Sequence, residues 1–339
     1  MSIFIRVDAS TEIGTGHVIR CLTLANRLKK EGKTVAFICR HAEGDCMELI
    51  EQQGFHVYKL PASEGSLWTY VADNWKEDAR ETINILRHYK VEQLIVDHYS
   101  IDIKWEQVVR LFTKEIMVID DLANRPHDCD ELLDQNFYLN KDSRYNGLVP
   151  VHTRLLLGPK YALLREEFKE ARKIIKSFTG KVERIIVFFG GSDPTNETEK
   201  VLRAILPIIH LEKIEVDVVV GNSNPNKMKI REICSTSDQL TYHCQINNIA
   251  ELMVKADLAI GAGGATTWER IYLHLPTIVI AVANNQVKAA EDLAEINAIV
   301  FLGIYNSIRE ENISSCLRNI ISDKVKIEKI IRNISTIYN

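Results

Sequence analysis

The chain has no surplus of positive charge: 42 lysines and arginines face 46 acidic residues, for a formal net charge of −4. No long basic run breaks that balance, so neither nucleic acid nor an anionic membrane surface is suggested as a partner. Any anion site must therefore be local, built from loops and helix termini. Long apolar runs are missing as well. Nothing approaches the ~20 apolar residues of a membrane span, and no membrane insertion is expected. The first apolar stretch, Ile3–Val7, is too short for a signal peptide and contains Arg6. The seven cysteines (Cys21, Cys39, Cys46, Cys129, Cys234, Cys244, Cys316) are scattered and odd in number, and they contain no CxxC pair. That reads as reduced thiols in a cytoplasmic protein rather than a disulfide framework or a zinc site. No low-complexity tract is present.

What the chain does have is a regular alternation of short apolar runs and helical patterns. Its 339 residues suggest about two domains, and an apolar fraction of 46% supports a sizeable core. In the first half the expected strands are Ile3–Val7, Thr34–Cys39, His56–Leu60, Gln93–Asp97, Ile116–Asp120 and Leu132–Asp134. Helical spacing falls at Val18–Glu31, Cys46–Gln53, Trp75–Tyr89 and Trp105–Thr113. The strands are continuous and rich in Ile and Val, as when crossover helices bury both faces. A second series follows, with strands at Arg184–Phe189, Val216–Val220, Leu240–His243, Leu258–Ile260, Thr277–Val282 and Ile299–Leu302. Its helices are expected at Glu197–Leu206, Asn226–Cys234, Ile249–Ala256, Thr267–Leu273 and Gln286–Glu295. The expected architecture is α/β, with two Rossmann-like doubly wound domains in tandem, 1–157 and 158–339. The junction lies in Gly158–Gly180, around Pro159 and a charged helix Arg165–Lys176 whose face should be solvated. Ligands in such folds lie at the carboxyl ends of strands, so a cleft between two facing domains is the expected site.

Three glycine-bearing loops follow strands and precede helices. The first, Ile13-Gly-Thr-Gly-His17, delivers a histidine to the first turn of a helix. The positive end of the helix dipole disfavours imidazolium there, and a neutral imidazole beside a ligand can act as a base. As a dinucleotide fingerprint the loop is poor. Ile19 stands where GxGxxG needs its third glycine, and Arg40 rather than an acid follows the second strand. The second loop, Phe189-Gly-Gly-Ser-Asp-Pro-Thr195, can bring the backbone N–H groups of Gly190, Gly191 and Ser192 against an anion. It can equally be a tight turn capped by Ser192, Asp193 or Thr195.

The third loop, Gly261-Ala-Gly-Gly-Ala-Thr-Thr-Trp-Glu269, is the strongest. The amides of Gly263 and Gly264 and the hydroxyls of Thr266 and Thr267 suit a diphosphate, and Glu269 is placed to accept hydrogen bonds from a ribose diol. Its plain alternative is a threonine N-cap with Glu269 complementing the dipole. Two phosphate-suited loops in one domain favour function. Asp120, Asp121, His127, Asp128, Cys129 and Asp130 superficially resemble metal ligands, but no zinc spacing is matched; a solvated turn with capping acids is expected, and no metal. Trp68, Trp75 and Trp105 read as packing residues.

GGSDPT, GAGGATTWE and the later Ala283-Asn284-Asn285-Gln286 resemble the nucleotide-sugar half of the GT-B superfamily. With IRVDASTEIGTGHVIRCLTLA (Ile5–Ala25), they resemble one branch, the UDP-2,4-diacetamido-2,4,6-trideoxy-β-L-altropyranose hydrolases (PseG). The segments Ile119–Asp130 and Gly158–Arg165 resemble the same group, and the similarity spans essentially the whole chain. Spore-coat polysaccharide biosynthesis proteins of the SpsG type are related.

The resemblance implies a GT-B-like fold and hydrolysis of a UDP-linked 2,4-diacetamido-2,4,6-trideoxyhexose in pseudaminic acid biosynthesis, before the free sugar condenses with phosphoenolpyruvate. It implies no metal and no cofactor, with His17 as base. Nucleotide contacts are implied at Gly263, Gly264, Thr267, Glu269 and Gln286, and Gly190, Gly191, Ser192, Thr266 and Asn285 join them. Sugar contacts are expected in the first domain from Asp8, Gly14, Gly16, Asp97 and Tyr99. Asp8 could instead orient its loop, and the strand-end Asp97 could be a cap. The resembled proteins carry an asparagine just before the glutamate, where this chain has Trp268.

The chemistry agrees. Hydrolysis at an anomeric carbon passes through an oxocarbenium-like state and needs an activated water opposite the leaving group. UDP leaves readily, amides and dipoles can hold its charge, and one base suffices. The rivals are a GT-B glycosyltransferase using a UDP-amino sugar in surface or spore-coat polysaccharide synthesis, and a non-catalytic nucleotide-sugar-binding partner. The protein is expected to act as a monomer.

Overall fold

The computed structural model describes residues 2–63 and 65–338. The chain forms two compact units, Met1–Leu163 and Leu164–Asn339.

The first unit runs β1 (Ser2–Val7), α1 (Gly16–Lys30), β2 (Thr34–Arg40), α2 (Met47–Gln52), β3 (His56–Leu60), α3 (Leu67–Asp73), α4 (Trp75–Leu86), β4 (Val91–Asp97), α5 (Ile103–Val109), β5 (Thr113–Ile119), β6 (Glu131–Asp134) and β7 (Arg154–Leu157). The strands pair in parallel in the order β3-β2-β1-β4-β5-β6-β7. Alternate residues feed opposite cores. Ile3, Ile5 and Val7 pack with Val18, Cys21 and Ala25 of α1, while Phe4, Leu94 and Val96 pack with Ala79, Leu86 and Trp105 of α4 and α5. Two buried faces explain the unbroken Ile/Val runs. The strand order reverses between β1 and β4, and at this switch the ends of the two strands, Val7 and Asp97, are paired.

The second unit begins with α6 (Glu166–Arg172), then β8 (Arg184–Phe188), α7 (Glu197–Glu212), β9 (Glu215–Val220), α8 (Lys227–Cys234), β10 (Leu240–Cys244), α9 (Ile249–Lys255) and β11 (Leu258–Ala262). It continues with α10 (Thr266–Tyr272), β12 (Thr277–Ala281), α11 (Val287–Glu295), β13 (Val300–Ile304), α12 (Glu310–Ile321) and α13 (Lys324–Ile337). Its parallel sheet has the order β10-β9-β8-β11-β12-β13, with the switch between β8 and β11.

The elements depart from expectation in a few places. β7 was not expected, because Arg-Leu-Leu-Leu is a short edge strand with an exposed start. α7 runs on through Pro207, where a proline should end it; buried Ile208 and Ile209 hold its last turns against the core. The junction helix shrinks to α6 and is not merely solvated, since Phe168 and Ala171 are buried in the core of the second unit. Among the described residues no helix is long and apolar enough to cross a membrane.

Candidate active site

In the first unit the chain leaves β1 and folds back before α1. Gly14 takes a left-handed φ of 77°, and its N–H donates to the Ser10 carbonyl at 2.8 Å. The turn starts α1 at Gly16 and sets His17 over the end of β4. Nothing lies within 4 Å of where a Cβ would stand on Gly14 or Gly16, so the loop is open on that side. His17 Nδ1 is 2.6 Å from Asp97 Oδ1. A carboxylate can only accept, so Nδ1 carries the hydrogen and Nε2 is the nitrogen left to take a proton.

Arg20, one turn further along α1, grips the same carboxylate at both oxygens, with Nε to Oδ2 and Nη2 to Oδ1 each 2.6 Å. Burial alone would raise the Asp97 carboxyl, but the Arg20 guanidinium and the His17 ring hold it well below the usual carboxylate range. Arg20 Nη1 also donates to Asp121 Oδ2 at 2.6 Å, and the Tyr99 hydroxyl donates to the same oxygen at 2.7 Å. The Tyr99 ring meets the His17 ring edge-on with centroids 4.6 Å apart. Trp68 stacks on Tyr99 at 5.3 Å and 18°.

These distances show where each expected site residue stands. Asp97 has a fully buried side chain whose oxygens are taken up by His17, Arg20 and the Cys21 thiol. Asp8 is equally buried. Its Oδ1 accepts from Arg6 Nη1 at 2.5 Å and from the Arg40 backbone N–H at 2.7 Å, and its Oδ2 lies 3.2 Å from His98 Nε2. It ties β1 to β2 through the Arg40 backbone N–H, and burial is again outweighed by Arg6 and His98, which keep it ionised. Tyr99 reaches the site with its ring, its hydroxyl hydrogen being given to Asp121. Trp68, expected to pack, stands half-buried beside His17.

The acids further on are held by arginines: Asp120 by Arg125, and Asp128 and Asp130 by Arg110. His127 is held by Glu106. Among the described residues no three His, Cys, Asp or Glu side chains form a group able to hold a metal ion.

In the second unit the two other glycine loops flank the β8/β11 switch. Gly190 takes φ 94°, and a Cβ on Gly221 would stand 2.2 Å from the Gly191 carbonyl, so β9 ends pressed against this loop. Asp193 is the cap: its carboxylate accepts from the backbone N–H of Glu197 at 3.0 Å and of Thr198 at 2.9 Å. Those two α7 amides are thereby occupied.

At the third loop the Gly263 N–H points inward, donating to Gln286 Oε1 at 3.1 Å, and Val282 N–H meets the same oxygen at 3.0 Å. Gln286 thus braces the loop through its side-chain carbonyl, which takes up the Gly263 amide. Asn285, on the adjoining 3₁₀ turn, is exposed. Neither threonine caps α10. Thr267 is buried and its hydroxyl donates to the Ala262 carbonyl at 3.3 Å; Thr266 is half-buried. Trp268 is buried in packing. Glu269 Oε1 accepts from Arg165 Nε at 2.8 Å, while its Oε2 is buried without a hydrogen-bond partner. The Arg165–Glu269 pair spans 104 residues and had no signal in the sequence.

With this geometry in view, residues 185–335 match the glycosyltransferase family 28 C-terminal domain. Among solved structures the chain is similar to MurG of Acinetobacter baumannii (TM-score 0.66, 13% identity, covering 99% of this chain and 95% of that one). It is also similar to the spinosyn rhamnosyltransferase SpnG complexed with thymidine diphosphate (TM-score 0.61, 14% identity, 98% and 96%). Two parallel Rossmann-like units with these neighbours define the GT-B fold. The UDP-2,4-diacetamido-2,4,6-trideoxy-beta-L-altropyranose hydrolase of Campylobacter jejuni is 30% identical over 295 residues, 87% of this chain and 97% of that protein. The spore coat polysaccharide biosynthesis protein SpsG of Bacillus subtilis is 24% identical over 325 residues, 95% and 89%. The chain belongs to the family of the former, the PseG family.

Proposed function

We propose that the protein hydrolyses a UDP-linked 2,4-diacetamido-2,4,6-trideoxyhexose to UDP and the free sugar. The observation that carries this reading is the His17–Asp97–Arg20 arrangement: a histidine at a strand switch, held by a buried carboxylate that is itself locked by a guanidinium. A water molecule, deprotonated by His17 Nε2, attacks the anomeric carbon. As the new C–O bond forms, the bond from that carbon to the diphosphate oxygen breaks, and UDP departs with the electron pair. The proton on His17 then passes to solvent. Met1–Leu163 supplies this base. Leu164–Asn339 binds UDP through the loops at Gly190 and Gly263, where Glu269 Oε2, buried and unpartnered, is free to accept from a ribose hydroxyl. The name of the Campylobacter relative supports water as acceptor and a diacetamido sugar as substrate. The free sugar would then serve pseudaminic acid biosynthesis.

A second reading, transfer of the sugar to an alcohol, is favoured by the family 28 domain match, since the same base could deprotonate a hydroxyl. Incubation with a small panel of UDP-diacetamido-trideoxyhexoses, following UDP and free sugar by NMR, separates the two. Release without acceptor supports the hydrolase, and strict acceptor dependence would sink it. His17→Ala should lower turnover by about 10²- to 10⁴-fold, the usual contribution of a general base, with UDP affinity nearly unchanged.

A further inference from the structure

α10 carries a charge for which the proposed nucleotide site has so far found no use. Arg270 is 1% exposed. A Cβ on Gly261 would lie 2.5 Å from Arg270 Nη1 and 2.4 Å from the Phe188 carbonyl oxygen. The guanidinium therefore fills the space that a side chain at Gly261 would take, between the ends of β8 and β11. That is where the strand order reverses and where ligands of open α/β sheets bind. Arg270 Nη2 donates to the Ala262 carbonyl at 2.5 Å and to Thr267 Oγ1 at 3.0 Å, and Nη1 lies 3.5 Å from Thr266 Oγ1. Its Nε is buried without an acceptor.

The other arginines buried in the described residues all face carboxylates: Arg6 has Asp8 and Asp78, Arg20 has Asp97 and Asp121, and Arg40 has Asp78 and Glu81. Among the described residues Arg270 has none in ion-pair contact; the neighbouring Glu269 pairs instead with Arg165 through Oε1. Burial pushes its pKa down to about 10, against the pull of Glu269, so it is still a cation at neutral pH. A buried cation without a counter-ion is costly to keep. An anion arriving at the loop would relieve that cost.

We propose that Arg270 is a built-in counter-charge for the diphosphate of the nucleotide, lying beneath the Gly261–Thr267 loop and completed electrically when the ligand binds. The inference rests on the UDP reading of that loop. Arg270 acts through the loop, setting the Thr266 and Thr267 oxygens and supplying positive potential in a site shielded from water.

The test compares wild type, Arg270→Met and Arg270→Lys by calorimetric titration with UDP and by ligand-observed NMR with uridine, which lacks the phosphates. Arg270→Met should lose UDP affinity by at least ~10-fold, the scale of a charge-assisted contact, while uridine binding stays within about twofold. Arg270→Lys, which keeps the charge and loses the fork, should retain most of the UDP affinity. Equal loss of UDP and uridine in the Met variant would make Arg270 a brace only, and unchanged UDP affinity would remove its role altogether; either overturns the proposal. If the Met variant does not fold, Arg270→Gln against Arg270→Lys gives the same contrast. Wild type failing to bind UDP would reject the nucleotide reading of the loop and this inference with it. Wild type binding UDP while Arg270→Met binds it equally would reject the inference alone.

Discussion

Asp97→Asn is the sharpest perturbation of the first unit, because it changes one atom and one charge. Asp97 Oδ1 accepts from His17 Nδ1 and Arg20 Nη2, and Oδ2 accepts from Arg20 Nε, all at 2.6 Å. An asparagine has one acceptor oxygen and one donor nitrogen, so it cannot serve both sides. With its oxygen toward His17, its NH2 group faces the Arg20 Nε–H, donor against donor. With its NH2 group toward His17, Nδ1 must become the acceptor and the hydrogen moves to Nε2, which removes the base. The first arrangement weakens folding and the second weakens catalysis. Arg20 keeps Asp121 as partner, so the folding loss should lie near the lower end of the ~3–5 kcal/mol typical of a broken buried ion pair. Turnover should fall by at least ~10²-fold, toward the ~10⁴ measured when the corresponding aspartate of a serine protease triad becomes asparagine. Urea unfolding gives the first quantity, and initial rates of UDP release at saturating substrate give the second. A folded Asp97→Asn protein turning over within about threefold of wild type would refute the role given to this carboxylate.

Three further outcomes follow from other contacts. Gly261→Ala should weaken UDP binding and lower stability, since the new methyl would meet the Phe188 carbonyl at 2.4 Å and Arg270 Nη1 at 2.5 Å; thermal melts with and without UDP report both effects. On the proposed nucleotide reading, Glu269→Gln should narrow the preference for UDP over 2′-deoxy-UDP, since Glu269 Oε2 has no hydrogen-bond partner of its own; competitive titration measures that ratio, and an unchanged ratio would place the ribose elsewhere. Acid should act in two windows of opposite sign. Asp8, Asp78, Asp97 and Asp120 are held below their ordinary range, despite burial, chiefly by arginines. Their stabilisation is complete above the unfolded carboxyl pKa of about 4 and is lost as pH falls below it. Asp134 is pushed up to about 7 by burial and by Asp121. The folded state therefore binds its proton more tightly than the unfolded chain, and stability from this group declines as pH rises from about 4 toward 7. Urea midpoints across that range should fall less steeply in Asp134→Asn than in wild type.

The sheets were legible because Ile3–Val7, Gln93–Asp97 and Thr277–Val282 are short, continuous and β-branched. Two-sided burial demands such composition, and few other arrangements tolerate it. The glycine loops were legible for the same local reason. Gly14 needs its positive φ, and His17 follows it by three residues. α12 and α13 stood outside the β-α alternation, although Ile313, Leu317 and Ile320, and then Ile327, Ile330 and Ile334, repeat at helical spacing and are buried.

What sequence could not supply were pairings over distance. Arg20 looks like one more basic residue of an amphipathic helix until β4 brings Asp97 beneath it, 77 positions away. For Asp8 and Asp97 the sequence leaves a sugar contact and a local structural role both open; the buried guanidiniums of Arg6 and Arg20 that hold them become visible only in the packed structure. Arg270 gave no signal, since its meaning depends on the absence of a carboxylate, and only the packed structure makes that visible.

Whether His17 directs water to the anomeric carbon can be read from an isotope label. The reaction should be run in H₂¹⁸O with the UDP-sugar that turns over, and the released UDP examined by ³¹P NMR or mass spectrometry. Attack at carbon leaves UDP with no ¹⁸O, and His17→Ala releases almost no UDP in the same time. UDP carrying ¹⁸O on its terminal phosphate would mean attack at phosphorus, and His17 would not be acting on water at the anomeric carbon.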